Sequence, residues 1–349
     1  MADGTDYGKI IVLTGAGASQ PLGCPTMASL VQLITEAGAP LSEVSGRMNG
    51  GMGCDDAETV YSNLELYLQA TACAADGDQN MLEAFAHPAR VLEYQTRFTK
   101  SLSQLQDLIL STCGRVDELS DGSTEYGNLL SKLYDLNGSA LRVFTLNYDL
   151  AFEDLFGAKT VVNGMRADGL NYVWDPGEYE DLPSDAFLVV YRLHGCSHWF
   201  RDSESGVILY QSHPTVSRTG LMPMVVFPSR RKAIDDVDDV FAFSYRALSE
   251  ALSAAEVCVV IGCSLRDSRV VNALRAADAD TLFVVVDSSL DLGQLRPALG
   301  EHDGLLLNVR FGEHRSHHAV FDAIEVALSR DLEREFPNTA DAQFRRIRA

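Results

Sequence analysis

The sequence predicts an α/β fold, a doubly wound and mostly parallel sheet of the Rossmann type with a helical insertion or small lobe. The first observation is a series of short apolar runs rich in β-branched residues, beginning with Ile10 to Leu13. Such runs are typical of parallel strands buried on both faces. The second is that segments of helical period alternate with these runs. The third is that the runs end where polar residues begin, as in parallel strands whose carboxyl ends line a ligand crevice.

The alternation can be followed along the whole chain. Residues 157–186 and 201–220 interrupt it and are predicted to be loops or short hairpins. The predicted strands are residues 10–13, 141–145, 187–193, 224–227, 257–261, 282–286 and 305–309. The predicted helices start near Thr26, continue through a mainly helical region at 58–137, and follow at 150–156, 241–252, 268–277 and 318–330.

The same pattern gives the predicted domain boundaries. Residues 1–37 and 140–335 carry the strand and helix alternation and form the predicted Rossmann-type domain. Residues 38–139 are a predicted helical insertion, which either covers the sheet or gates access to a substrate. Residues 336–349 are a C-terminal tail that is basic in an acidic protein. It is either a disordered end or a docking segment.

Composition limits the classes of partner. The chain has 349 residues, of which 46% are hydrophobic, and it carries 28 Lys and Arg against 49 Asp and Glu, a formal net charge of −21. A field of this sign repels nucleic-acid phosphates and anionic membranes, so we expect no direct binding of nucleic acid. The first residues lack a cationic segment followed by an apolar core, and no run is long enough to span a bilayer. We therefore expect a cytoplasmic protein without membrane contact.

The cysteines and the acidic residues argue against a metal site. The seven cysteines are scattered and include no C-x-x-C pair, which predicts neither a disulfide framework nor a zinc module. The run from Asp235 to Asp239 could hold a divalent cation. Its place just before a helix favours solvated acids that interact with the helix dipole instead. We assign no metal ligand.

A glycine-rich turn follows the first predicted strand. Gly15, Ala16, Gly17 and Ser19 are small enough for backbone N–H groups to approach a pyrophosphate at a helix N-terminus. Pro21 and nearby Gly23 are expected to delay the helix until about Thr26. The spacing is not a complete G-x-G-x-x-G, so a purely structural turn is the alternative.

Four segments resemble, in the same order, motifs of the sirtuin family, whose members bind NAD. They are the G-A-G-A-S turn at 15–19 with the G-x-P after it, T-L-N-Y-D at 145–149, L-H-G at 193–195 and G-C-S-L at 262–265. The resemblance implies that NAD is the substrate. Asn147 would hold a water or a ribose hydroxyl, and His194 would act as the base. Asp149 would contact the nicotinamide carboxamide, cap the following helix, or do both.

The resemblance also implies a set of residues that contact NAD. They lie in the two glycine turns, at the ends of predicted strands and in the G-x-P segment. The predicted contacts are Gly15, Ala16, Gly17, Ser19, Pro25, Thr145, Gly262, Ser264, Asp267 and Asp287. Among them, the strand-end acid Asp287 would meet the adenosine ribose.

The chain departs from the protein-deacylating sirtuins. It lacks their four-cysteine zinc module, and it has G-C-P-T-M-A at 23–28 where they have G-I-P-D-F-R. The G-x-P-T form and the G-x-S-x-x-D form ending at Asp267 resemble bacterial antiphage effectors that hydrolyse NAD to ADP-ribose and nicotinamide. The predicted function is therefore NAD glycohydrolase, with protein deacylase and a non-catalytic NAD or ADP-ribose sensor as the alternatives.

An enzyme that depletes NAD must be restrained in its host. The sequence offers no evident sensor domain, so the restraint is expected from an interface. We predict a homo-oligomer built partly through the helical insertion and the basic tail. A separate partner, such as a HerA-type ATPase or a short Argonaute, would sense nucleic acid for this acidic chain.

Overall fold

A computed structural model describes residues 9–25, 27–43, 57–76, 90–113, 121–214, 220–228, 239–309, 316–329 and 344–347. The strands are β1 Ile10–Thr14, β2 Leu141–Thr145, β3 Val161–Val162, β4 Met165–Asp168, β5 Asn171–Trp174, β6 Leu188–Arg192, β7 Gly195–Asp202, β8 Ile208–Tyr210, β9 Leu221–Val225, β10 Val257–Ile261, β11 Leu282–Val286, β12 Gly304–Leu307 and β13 Phe344–Ile347. The α-helices are α1 Ala16–Ser19, α2 Met27–Glu36, α3 Ala57–Ala75, α4 Val91–Cys113, α5 Asp121–Asn137, α6 Ala151–Phe156, α7 Asp239–Leu252, α8 Ser268–Arg275, α9 Leu292–Leu299 and α10 Ser316–Ser329.

The chain divides into two compact units. The first comprises Met1–Cys24, Arg115–Cys196 and Asp236–Ala349, and the second comprises Pro25–Gly114 and Ser197–Asp235. No helix in the described part of the chain combines the length and the apolar character needed to cross a membrane.

The first unit is built on a central sheet of eight strands. Their order is β13-β12-β11-β10-β1-β2-β6-β3, and every pairing is parallel except that of β13 with β12. Side chains alternate along β1, so Ile10 and Val12 face one hydrophobic core while Ile11 and Leu13 face the other. Helices α5 and α10 cover one face, and α7, α8 and α9 cover the other. The predicted α/β architecture with a mostly parallel sheet is confirmed.

The second unit contains α2, α3 and α4 together with β8, β9 and most of β7. The ring of Tyr67 on α3 stacks on Phe98 of α4 with centroids 5.3 Å apart. The predicted sheet strand at 224–227 is wrong, because β9 lies beside β7 in a separate sheet. Only Met224 in β9 is buried, and Pro223 has no N–H to donate to a ladder, which suits an edge position.

The first helix begins earlier than predicted. Helix α1 follows β1 immediately, and a 3₁₀ turn at Gln20–Leu22 continues it up to Gly23, whose φ is +85°. The expected delay until Thr26 therefore applies only to α2. Strands β7 and β13 and helix α9 had no predicted counterpart, and β13 pairs with β12 through part of the basic tail.

The strand order creates a switch point beside β1. From β1 the chain builds β2, the edge strand β3 and then β6 on one side of β1, and it later returns to β10 on the other side. Open α/β sheets bind their ligands at the carboxyl ends of the strands where the winding direction reverses. The two glycine turns predicted from sequence directly follow β1 and β10.

These two glycine turns pack directly against each other. A Cβ atom on Gly15 would lie 2.6 Å from the carbonyl oxygen of Gly262, and one on Gly17 would lie 2.8 Å from the Cα of Gly262. The N–H of Gly15 donates to the carbonyl of Ile261 at 2.9 Å, and that of Gly17 donates to Gly262 at 3.0 Å. The glycines thus allow backbone to touch backbone across the switch point.

A buried ion pair holds the end of β6 against α6. The guanidinium of Arg192 is fully buried, and its Nη2 donates to the two carboxylate oxygens of Glu153 at 2.7 and 2.9 Å. Its Nη1 donates to the carbonyl of Asp149 at 2.6 Å, and Asn163 donates to Glu153 at 2.8 Å. Burial acts to raise the pKa of Glu153, but Arg192 and Asn163 outweigh it, so this pKa lies below its ordinary value.

The close packing at the switch point predicts the effect of a methyl group there. Gly262→Ala should destabilise the protein by about 2 kcal/mol more than Gly169→Ala does. Both glycines have positive φ, +59° and +63°, but a Cβ on Gly262 would lie 2.4 Å from the nitrogen of Ala18 while Gly169 has nothing within 4 Å. Gly169→Ala therefore measures the backbone strain alone. Urea denaturation compares the two, and equal losses would show that the packing at Gly262 is not tight.

The ion pair predicts a pH-dependent loss of stability. Glu153→Gln should cost about 3 to 5 kcal/mol at neutral pH, because it leaves Arg192 buried without a counter-charge. Since the pKa of Glu153 is lowered by folding, its contribution is complete above the unfolded pKa of about 4.3 and is lost as pH falls through the folded pKa.

The difference between the wild type and Glu153→Gln in free energy of unfolding should therefore shrink as the pH falls below about 4. Glu180→Gln, at an exposed position, provides the matched control and should stay within about 0.5 kcal/mol of the wild type. A difference that stays constant from pH 7 to pH 3 would contradict the assigned ion pair.

Candidate active site at the carboxyl edge of the sheet

Asn147 fastens the first glycine turn to the end of β2. Its Nδ2 donates to the carbonyl of Gly15 at 2.9 Å and to the hydroxyl of Ser19 at 2.7 Å. Its own N–H donates to the side chain of Thr145 at 3.0 Å. Within the described residues, the Oδ1 of Asn147 accepts no hydrogen bond. The amide is therefore fixed in orientation and presents one acceptor, as the predicted contact with a water or a ribose hydroxyl requires.

Asp149 belongs to the same hydrogen-bond network as Asn147, because both side chains contact the hydroxyl of Ser19. It accepts a hydrogen bond from the hydroxyl of Ser19, and its Oδ1 accepts the N–H of Ala151 at 3.1 Å at the start of α6. Burial raises the pKa of Asp149 above its ordinary value, although Ser19 and the charge of Arg192 partly oppose this effect. The predicted helix cap is wrong, because the N-cap position is Leu150 and the bond from Ala151 stabilises the turn that precedes α6. The predicted contact with nicotinamide stays a prediction.

His194 is paired with Asp267. The Nε2 of His194 lies 2.8 Å from the Oδ2 of Asp267, and each side chain is 6% exposed. The other carboxylate oxygen of Asp267 accepts the N–H groups of Arg269 and Val270 at 2.9 and 3.3 Å and so caps helix α8. The sequence assigned Asp267 to the cofactor, and the structure brings it together with His194.

His194 and Asn147 occupy equivalent positions on neighbouring strands. Thr145 of β2 is in register with Arg192 of β6, and each candidate residue lies two positions beyond its strand's partner. The N–H of Leu193 also donates to the carbonyl of Thr145 at 2.9 Å, which extends the pairing past the strand ends. Since paired strands lie about 4.8 Å apart, the register brings the amide and the imidazole to one edge of the sheet.

The other residues predicted to contact NAD differ in their burial and in the hydrogen bonds that they already make. Asp287 follows β11, and its Oδ1 accepts from the N–H and hydroxyl of Ser289, both at 2.7 Å, and from Leu290 at 3.1 Å. This carboxylate therefore shapes a turn whatever else it binds. Ser264 is exposed. Pro25 is half-buried and lies in the second unit.

The glycine turns offer fewer phosphate donors than the sequence suggested. The N–H groups of Gly15, Gly17 and Ala18 all donate to backbone carbonyls, the last to that of Gly15 at 2.9 Å. In this conformation they hold the turns together. A pyrophosphate at this edge would need its donors from other groups of the turns, and Ala16 is half-buried beside them.

The described residues contain no group of three or more His, Cys, Asp or Glu side chains placed to hold a metal ion. The expected absence of zinc stays a prediction. Residues Asp235 to Asp238 of the acidic run lie outside the described residues.

Sequence reasoning missed the roles of Arg192 and Glu153. The signal was present, because an arginine within the apolar run L-V-V-Y-R-L must be paired when the strand is buried. The identity of its partner, 39 residues earlier in the chain, follows only from the fold. The pairing of His194 with Asp267 is likewise a tertiary contact, over 73 residues.

The central part of this chain is similar in sequence to one family of known proteins. Residues 141–286 match the family described as SIR2-like domain. The match covers less than half of the chain but includes Asn147, Asp149, His194 and Asp267. Comparison with curated proteins gives no match.

Solved structures of Sir2 proteins are similar to this chain at low identity. A Sir2 homologue in complex with NAD is 13% identical, with a TM-score of 0.44, and the match covers 91% of this chain and 90% of that one. A structure of a Sir2 enzyme is 12% identical, with a TM-score of 0.45 and coverage of 92% and 94%. Sir2 with a p53 peptide and NAD+ is 15% identical, with a TM-score of 0.39 and 93% coverage of both. Residues 141–286 are thus similar to a SIR2-like domain.

Proposed function

We propose that this protein is an NAD+ glycohydrolase that cleaves NAD+ to ADP-ribose and nicotinamide. The observation that carries the proposal is the edge of the sheet at the switch point. There the glycine turns after β1 and β10 pack together, and Asn147 and His194 project from register-paired strand ends. The match of residues 141–286 to a SIR2-like domain supports an NAD-dependent activity at this edge.

Hydrolysis of the glycosidic bond of NAD+ needs few protein side chains. Nicotinamide is a good leaving group once its glycosidic bond stretches, so the protein has to orient the dinucleotide, place one water and provide a base. Asn147 is held by its two amide N–H bonds, so its Oδ1 can accept a hydrogen bond from that water or from a ribose hydroxyl. His194 is the proposed base that takes the proton from the attacking water. Asp149 is the proposed contact for the nicotinamide carboxamide.

In the cell, the proposed role is that of an antiphage effector in the cytoplasm that depletes NAD+. The G-x-P-T segment and the missing zinc cysteines support this branch over the deacylases. Its control would come from homo-oligomerisation or from a partner such as a HerA-type ATPase or a short Argonaute. The net charge of −21 supports a partner that contacts nucleic acid in place of this chain. Light scattering of the purified protein tests the assembly, and a fully active monomer would contradict it.

Protein deacylation is the second candidate. The match to a SIR2-like domain favours it as much as NAD+ hydrolysis, since the match concerns NAD-dependent chemistry in general. The two activities differ in their need for an acyl-lysine peptide. A non-catalytic sensor would bind NAD or ADP-ribose without turnover.

Purified protein incubated with NAD+ should release nicotinamide without any peptide. Asn147→Ala and His194→Ala should each lower kcat by about 100-fold or more, because they remove the proposed water contact and the base. Nicotinamide and ADP-ribose are quantified by chromatography, with and without the candidate partner. Asn171→Ala and His213→Ala change the same residue types at exposed positions and should retain full activity.

Two results would contradict the proposal. Nicotinamide release that requires an acyl-lysine peptide would identify a deacylase, and tight NAD+ binding without turnover under any partner condition would identify a sensor. Because Asn147 also holds Gly15, the unfolding midpoint of each variant is measured alongside its activity. Loss of activity then counts only when the fold is intact.

A further inference from the structure

Asp267 is held in place before any ligand binds. One carboxylate oxygen is fixed by two backbone N–H groups at the start of α8, from Arg269 and Val270. The other lies 2.8 Å from Nε2 of His194. With its side chain 6% exposed, the carboxylate has both oxygens engaged by the protein and little surface for a ribose hydroxyl. This is the geometry of an orienting group.

The loop that presents Asp267 has an unusual backbone. Between β10 and α8 it passes through Gly262 with φ of +59° and Leu265 with φ of +53°. Leucine rarely adopts the left-handed region because its Cβ crowds the backbone there, so the surrounding structure must impose this conformation. Strands β1 and β2 separate β10 from β6, and only a loop of defined shape brings Asp267 across them to His194.

We propose that Asp267 is a positioning residue for His194: it accepts the hydrogen on Nε2, so that Nδ1 faces the reaction as the base, and it stabilises the imidazolium after proton uptake. This inference rests on the proposed hydrolysis of NAD+ with His194 as the base. An ionised carboxylate can only accept a hydrogen bond, so its contact with Nε2 selects one neutral tautomer. The same logic governs the aspartate of a Ser-His-Asp triad.

Other polar groups surround the pair. Tyr245 on α7 has a buried hydroxyl without a hydrogen-bond partner among the described residues, and the guanidinium of Arg269 lies 5.7 Å from the centre of its ring. Burial raises the pKa of Tyr245, and the nearby charge of Asp267 adds to that effect while Arg269 opposes it. Tyr245 therefore stays neutral, and the thiol of Cys263 is the remaining titratable group beside it. Asp267 is the acid in direct contact with His194.

Two substitutions separate the pairing from the helix cap. Asparagine and serine both cap helices well, so Asp267→Asn and Asp267→Ser should leave the unfolding midpoint close to that of the wild type. In Asp267→Asn the cap needs the amide oxygen, so the NH₂ group faces His194 and Nε2 has to accept. The imidazole should then carry its hydrogen on Nδ1. In Asp267→Ser the shorter side chain keeps the cap and loses the contact.

The test combines NMR of ring-¹⁵N-labelled histidine with steady-state kinetics on NAD+. The protein has eight histidines, and a His194→Gln variant assigns the signal of interest. The wild type should show hydrogen on Nε2 of His194, and Asp267→Asn should show it on Nδ1. Both variants should lower kcat by about 100-fold or more with little change in KM, because general base catalysis contributes about 10² to 10⁴. Asp291→Asn, at the cap of α9, should change none of these.

The possible outcomes distinguish the two proposals. A wild-type His194 with its hydrogen on Nδ1 would overturn the positioning role, even in an active enzyme. A rise in KM at unchanged kcat in Asp267→Asn would also overturn it and restore the predicted ribose contact. If the tautomer inverts as expected but the protein never cleaves NAD+, the positioning of His194 by Asp267 stands and only the proposed hydrolysis fails.

Discussion

The close approach of two glycine turns is the constraint on which the candidate site depends. The Gly15 and Gly17 turn meets Gly262 with no space for a Cβ atom, and backbone hydrogen bonds join the turns. This contact brings together the ends of β1 and β10, the two strands between which the winding of the sheet reverses. Asn147 then ties the first turn to β2. At this edge of the sheet, backbone packs directly on backbone, and the side chain of Asn147 is hydrogen-bonded to that backbone.

Buried charge at this edge is balanced inside the protein. Arg192 neutralises Glu153 directly and also contacts the carbonyl of Asp149. Burial raises the pKa of Asp149 above its ordinary value, while the hydroxyl of Ser19 and the charge of Arg192 oppose this effect. A pyrophosphate approaching a chain with a net charge of −21 meets repulsion from the surface. Because Glu153 is paired with Arg192, it adds no unpaired negative charge near the proposed binding edge.

The sequence predicted the parts of the fold that depend on local pattern. The apolar runs at β1, β2, β6, β10 and β11 are short, rich in β-branched residues and buried on both faces, which is typical of the strands of a parallel sheet. Strand β9 was misplaced, since an apolar run of four residues does not reveal which sheet it joins. Strand β13 was not predicted, since its four residues include two arginines and so do not form an apolar run.

The residues of the candidate site were named from the sequence, and their roles stay predictions. Motifs at strand ends pointed to Asn147, Asp149 and His194, because the carboxyl ends of parallel strands share one edge. Their partners could not be predicted, since Asp267 and Arg192 act through contacts made between distant segments.

One short loop links the closure of the glycine turns to the orientation of the proposed base. Gly262 contacts the first turn, and Asp267, five positions on, holds His194. The N–H of Gly17 donates to the carbonyl of Gly262, so the first turn and the loop are joined by a backbone hydrogen bond. Asp267 is anchored at its other end by the start of α8, which limits how far the loop can shift without losing the cap. Packed backbone contacts of this kind have few alternative arrangements, so the loop that carries Asp267 is held by the first turn at one end and by the start of α8 at the other.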